Sequence, residues 1–196
     1  MFEHYYSQNP SSKIVEKDFE FNVGSQKLRF KTVSGVFSFG NPDPASVVLV
    51  RNFPEVKGDL LDLGCGYGFI GISLKAKNPD LNLFMSDINE RAVEYAKINA
   101  KNNNIFAVIK SGDGFEIWNG MEFDFVVFNP PMAAGKDVWV RLIEESRSHL
   151  RERGLLFCVG FHNKGGSAIE REMKRVFGNV STIVKDGGIR VYCSER

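Results

Sequence analysis

From Asp59 onward, short apolar runs alternate with stretches whose apolar residues recur at helical spacing, and this alternation restricts the fold more than any other feature of the chain. Leu60–Leu63, Leu81–Met85, Phe106–Ile109, Phe123–Phe128 and Leu155–Val159 read as strands buried on both faces. Between them lie four helical patterns: Phe69–Ala76, stopped by Asn78-Pro79; a segment with Ala92, Val93, Ala96 and Ala100 on one side; Val138–Leu150; and a segment with Ile169, Met173, Val176 and Phe177 on one side. Val180–Val184 and Ile189–Cys193, flanking Gly187-Gly188, read as a closing hairpin. This order predicts an α/β fold, a doubly wound and mostly parallel sheet of seven strands.

Residues 1–58 follow a different pattern. Phe19, Phe21 and Val23 alternate, Gly24-Ser25 offers a tight turn, and Leu28 and Phe30 alternate again, which predicts a β-hairpin. Gly35–Phe39 reads as a further extended piece. Asn41-Pro42-Asp43-Pro44 starts a helix, with Asp43 as N-cap and Pro44 in the first turn. The chain is therefore expected to divide into a prefix, 1–58, packed on a core domain, 59–196.

Composition excludes several classes. The 196 residues suffice for one core, and a net charge of +1 fits neither a polybasic tail nor an acidic disordered segment. No apolar run reaches the length of a membrane span, and Met1–Tyr6 lacks the apolar stretch of a signal peptide, so a cytoplasmic protein without a membrane partner is expected. Cys65, Cys158 and Cys193 are too few and too far apart for a disulfide framework or a zinc cluster, and no metal site is expected. Charge is uneven: residues 59–140 hold 7 Lys/Arg against 11 Asp/Glu, and residues 141–196 hold 11 against 7.

Asp62-Leu63-Gly64-Cys65-Gly66-Tyr67-Gly68 follows the first parallel strand directly. Glycines there let the backbone turn sharply and approach a ligand, at the place where open α/β sheets bind one. Gly66-Tyr67-Gly68-Phe69-Ile70-Gly71 also satisfies the dinucleotide pattern, and Asp87, 21 residues beyond Gly66, is placed to grip a ribose. A nicotinamide cofactor and S-adenosylmethionine both fit that much. Asp62 at the strand end would repel a pyrophosphate, and Asp113 adds a third acid suited to an adenine amino group. Three acids at successive strand ends favour a cationic, phosphate-free nucleoside.

The fourth strand ends in Asn129-Pro130-Pro131. Two prolines stiffen the strand end, where the Asn129 side-chain carbonyl and the Pro130 backbone carbonyl can accept both hydrogens of an NH2 group. Its nitrogen is then left facing the methyl donor, and the charge it develops is stabilised in the transition state. His4, His149 and His162 are isolated and read as surface or packing residues.

Together these residues resemble the class I S-adenosylmethionine-dependent methyltransferases that modify amino nitrogens. His4-Tyr5-Tyr6-Ser7 with Pro10, Gly35-Val36-Phe37-Ser38 with Asp43, and Asn129-Pro130-Pro131-Met132-Ala133-Ala134-Gly135-Lys136 are similar to the "methyltransferase small" family. Its bacterial members include small-subunit ribosomal RNA guanine-N2 methyltransferases. Gly187-Gly188-Ile189-Arg190-Val191 is similar to a single-domain archaeal branch.

The resemblance implies a Rossmann-like sheet, S-adenosylmethionine as cofactor and ribosomal RNA or a ribosomal subunit as partner. It implies that Gly64, Gly66, Gly68, Asp87 and Asp113 bind the cofactor, with Asp62 near its methionine end and Ile88 on the adenine. Asn129, Pro130 and Pro131 would form the catalytic end, with Asn129 also binding the cofactor, and Phe37 and Phe39 could line the cleft. Lys and Arg of the prefix and of the C-terminal third would meet phosphates. Met132 stands where the family often has an aromatic residue, and the ribosomal RNA enzymes commonly carry a further N-terminal domain. A protein glutamine-amide methyltransferase and a non-catalytic RNA-binding factor that keeps a cofactor pocket stay open beside this reading.

Overall fold

The computed structural model describes residues 13–196; the His4–Ser7 and Pro10 positions lie outside them. The first element is the expected hairpin, β1 (Glu16–Val23) and β2 (Gln26–Val33), paired antiparallel. Alternation places Phe19, Phe21, Leu28 and Phe30 on one face. Phe30, 1% exposed, stacks on Phe19 with centroids 5.3 Å apart and meets Phe69 at the same distance.

The next segment departs from expectation. Gly35–Phe39 is a series of turns and not an extended piece: Gly35, Ser38 and Gly40 all have positive φ (80°, 61° and 91°), which folds the chain back toward the sheet. Asp43 then caps α1 (Pro44–Asn52) as predicted, its Oδ2 accepting from Ser46 N at 2.8 Å.

The core follows in chain order: β3 (Gly58–Leu63), α2 (Phe69–Lys77), β4 (Leu81–Asp87), α3 (Glu90–Asn102), β5 (Ala107–Ser111), β6 (Phe123–Phe128), α4 (Lys136–His149), β7 (Leu150–Phe161), α5 (Gly166–Phe177), β8 (Ser181–Asp186) and β9 (Ile189–Glu195). The sheet order is β5-β4-β3-β6-β7-β9-β8, parallel except for β9, which pairs antiparallel with both its neighbours. This is the seven-stranded, mostly parallel, doubly wound sheet that the alternation predicts. Two boundaries shift. Phe106 is 82% exposed and stays out of β5, and Leu150 opens β7 instead of ending a helix.

One face of the sheet carries α1, α2, α3 and the hairpin; the other carries α4 and α5. The hairpin is fastened by more than its rings. Asn99 of α3 and Asn103 at its C-cap turn their side-chain amides to the outer edge of β2, exchanging hydrogen bonds with the backbone of Lys31 (2.8 and 2.9 Å) and of Arg29 (2.9 and 2.8 Å). An edge that would otherwise expose unpaired backbone groups is thereby occupied. Among the described residues no helix is long and apolar enough to cross a membrane.

Phe30→Ala removes the ring at the junction of hairpin and core, and a buried aromatic truncation costs about 3–5 kcal/mol. Chemical denaturation of the variant is expected to show that loss; one below about 1 kcal/mol would contradict a shared core.

Candidate active site

The chain turns toward β4 after β3 and toward β7 after β6, so the loops following these two neighbouring strands diverge and open a crevice at their carboxyl ends. Parallel register pairs Leu63 with Phe128, which sets Gly64 beside Asn129 at the crevice mouth. A cavity of about 320 Å³ lies there. Gly64, Gly66, Asp87, Ile88 and Asp113 line it, and Asn129, Pro130 and Pro131 form another part of its wall.

Gly64 and Gly66 have φ of 69° and 55°, and a Cβ built on either would meet nothing nearer than 3.9 Å, so their backbones are open to close approach. Gly66 N–H donates to Asp87 Oδ2 at 2.8 Å, and Asp87 Oδ1 accepts from Asn89 N at 2.9 Å. Burial raises the Asp87 carboxyl to about 6 despite these bonds to its charged form.

Asp62 and Gly68 stand elsewhere than the sequence suggests. Asp62 is 1% exposed and lies beneath the loop, not on the cavity wall. Its Oδ2 accepts from Gly71 N at 2.8 Å near the start of α2. Burial, more than the nearby Asp87, pushes its carboxyl to about 7. A Cβ at Gly71 would come within 2.8 Å of Met85 Sδ and 3.0 Å of Asp62 Oδ2, so a larger residue there would displace these side chains. Gly68 turns the chain into α2 with φ of 89° and packs toward Ile72 and Ala96.

The third cavity carboxylate is Asp43, from the prefix. It lines the wall together with Ser46, and the two accept from Asn129 Nδ2 at 3.1 Å (Asp43 Oδ2) and 3.0 Å (Ser46 Oγ). From the sequence Asp43 reads as a helix cap and as part of the family resemblance, and Ser46 carries no signal, since no local pattern announces a bond spanning more than eighty residues. Arg141 was missed too. Its Nη2 donates to Asp113 Oδ1 at 2.7 Å, so one oxygen of the acid expected at an adenine is already engaged. The Pro130 carbonyl likewise accepts from Met132 N at 2.8 Å, which leaves one lone pair for a further donor.

A smaller cavity of about 210 Å³ shares Phe37, Asp43, Asn129 and Pro130 with the first and is also walled by Met132 and Phe161. Lys164 lines its edge, with Nζ 5.7 Å from the Phe161 ring centroid. Phe37 thus lines the cleft as expected, while Phe39 sits under the Lys17 ammonium, 4.9 Å from it. Three of the hairpin cations already have acidic partners at the surface. Lys27 and Arg29 pair with Glu20, and Lys31 pairs with Glu16 and Asp18.

Residues 27–193 match the family described as the methyltransferase small domain. The chain belongs to that family. It is 38% identical over 192 residues to YbxB of Bacillus subtilis (strain 168), covering 96% of both chains. It is 29% identical over 191 residues to ribosomal RNA small subunit methyltransferase C of Shewanella amazonensis, covering 95% of this chain and 55% of that protein. Among solved structures, the T. thermophilus 16S rRNA N2 methyltransferase RsmC in complex with AdoMet and guanosine superposes with a TM-score of 0.81 at 24% identity, over 95% of this chain and 52% of that one. The chain thus spans about half the length of these methyltransferase C relatives. Family and Rossmann-like fold are those that the sequence motifs indicate.

The raised Asp62 carboxyl has a consequence for this family's sheet. An unfolded chain releases the Asp62 proton near pH 4, whereas the folded chain holds it to about 7. The folded state therefore binds more protons across that window, and stability falls as pH rises through it. Asp62→Asn keeps an acceptor for Gly71 and removes the charge. Relative to wild type it is expected to gain stability from pH 4 to 8, on the order of 4 kcal/mol at ~1.4 kcal/mol per pKa unit. Denaturation at several pH values checks this, and parallel pH profiles would refute it.

Proposed function

We propose that the chain transfers a methyl group from S-adenosylmethionine to an exocyclic amino nitrogen of an RNA base, guanine N2 of ribosomal RNA. The observation that carries the reading is the Asn129 amide. Its nitrogen is bonded to Asp43 and Ser46, which leaves its carbonyl oxygen, beside the Pro130 carbonyl, for the amine of an acceptor. The relatives named as ribosomal RNA small subunit methyltransferase C support an RNA acceptor.

S-adenosylmethionine supplies an electrophilic methyl group on a cationic sulfur. The cavity suits such a ligand: among the described residues Asp43, Asp87 and Asp113 line it against one guanidinium, Arg141, and no phosphate need be held. In this reading Gly64 and Gly66 allow the cofactor close to the backbone, Asp87 accepts from ribose hydroxyls, and Ile88 covers the adenine. The Asp113 oxygen not engaged by Arg141 accepts from the adenine amino group. Asn129 Oδ1 and the free lone pair of the Pro130 carbonyl accept from the two hydrogens of the target amine. Those bonds strengthen as the nitrogen gains positive charge, and that is where the rate enhancement arises. The smaller cavity, with Phe37, Met132 and Phe161 in its wall, receives the base, which must leave its stack to reach it.

Incubation with labelled cofactor and separate pools of small ribosomal subunits, free RNA and protein tests the acceptor. Label in N2-methylguanosine of ribosomal RNA is expected, and label confined to protein would end the RNA reading. Asn129→Ala is expected to abolish measurable transfer while leaving S-adenosylhomocysteine affinity within a few-fold; equal loss of both would make Asn129 a cofactor or folding residue.

Affinity for S-adenosylhomocysteine should also depend on pH. The ionised Asp87 carboxylate is the stronger acceptor, so affinity is expected to hold above pH 7 and fall about fivefold between pH 6 and 5. Calorimetry across that range reads the effect, and Asp87→Asn should bind weakly and flatly.

A further inference from the structure

We infer that Asp43 and Ser46, at the start of α1, are positioning residues for methyl transfer: they hold the Asn129 amide so that only its carbonyl oxygen can meet the acceptor amine. This rests on the function proposed above and extends it to residues of the prefix.

The hydrogen-bond inventory settles the orientation. Asp43 Oδ2 accepts from Ser46 N at 2.8 Å, from Ser46 Oγ at 3.1 Å and from Asn129 Nδ2 at 3.1 Å. Ser46 has one hydroxyl proton and spends it on Asp43, so its oxygen faces Asn129 only as an acceptor, at 3.0 Å. Both groups opposite the amide therefore accept. A flipped Asn129 would set its carbonyl oxygen against a carboxylate oxygen and a hydroxyl lone pair, with its NH2 turned toward the acceptor. That conformer would repel the substrate amine, which is itself a donor. A bond from the amide N–H to a carboxylate also draws electron density toward the amide oxygen, improving it as an acceptor.

Helix capping alone does not account for the arrangement. The cap needs only the bond from Ser46 N to Asp43, which serine at position 43 would supply as well. The bonds to Asn129 are additional, and they reach across to the end of β6. Ser46 is 5% exposed, so water does not substitute readily for its hydroxyl.

Three variants separate capping from positioning. Asp43→Ser keeps a helix cap, but its shorter side chain cannot reach Asn129. Asp43→Asn keeps one acceptor oxygen at the same reach, loses the charge and turns the other oxygen into an NH2 donor. Ser46→Ala keeps the capping bond and removes one acceptor. With tritiated S-adenosylmethionine and small ribosomal subunits, Asp43→Ser and Ser46→Ala are each expected to lower kcat at least tenfold. Asp43→Asn is expected to recover most of what Asp43→Ser loses. Thermal midpoint should be alike in all three, and S-adenosylhomocysteine affinity alike in Asp43→Ser and Asp43→Asn, which lose the same charge.

Independently of any substrate, the Asn129 Nδ2 protons of nitrogen-15-labelled protein should exchange with water slowly. In Asp43→Ser and Ser46→Ala they should exchange at least tenfold faster. Equal kcat in Asp43→Ser and Asp43→Asn overturns the inference, as does wild-type exchange as fast as that of a surface asparagine. Protected Asn129 protons in a protein that labels no RNA overturn the RNA reading instead, and leave the orientation of the amide upheld.

Discussion

The pairing of β3 with β6 is the constraint on which the site depends. These two strands are neighbours in space, yet the chain leaves them in opposite directions, so the crevice between their loops needs no side chain to create it. Their register, Leu63 against Phe128, decides what meets across the crevice. A shift of one residue would present Cys65 or Phe128 to the partner loop and invert which side chains of the strand face each helical layer. Buried residues on both faces of β3 and β6 make such a shift costly, and the site inherits its precision from that cost.

Electrostatics adds a second layer. Asp62 and Asp87 sit close together at adjacent strand ends, both withdrawn from water and both raised toward neutrality. They do different work. Asp87 reaches the cavity through the turn it stabilises at Gly66, while Asp62 supports the first turn of α2 from beneath. The cavity regains a carboxylate from Asp43, from a different part of the chain. Its negative character is thus assembled from three separate elements, α1 among them, and not from one motif.

The sheet was legible because each of its signals is local: apolar runs of strand length, helical periodicity and glycines at a strand end. Asn129-Pro130-Pro131 was legible for the same reason. What the sequence withheld is pairing at long range. Asp43-Pro44 announces a helix start but not the amide it contacts. Asp62 belongs to the glycine motif, and nothing in that motif says whether its side chain points up into the cavity or down beneath Gly71. Gly35–Phe39 reads as extended from its alternation, yet its left-handed residues turn it. Lys27, Arg29 and Lys31 look like free cations until the hairpin register sets acids opposite or beside them.

Asn99 and Asn103 occupy the outer edge of β2, and the rings of Phe19 and Phe30 sit against Phe69. A segment that composition marks as an appendage is therefore tied to the inheritance of the sheet. Exchanging it for the equivalent stretch of a distant homologue would leave Asn99 and Asn103 able to meet the new ribbon's backbone, but would set against Phe69 an aromatic surface shaped to other rings. The hairpin and the core beneath it therefore constrain one another's substitutions.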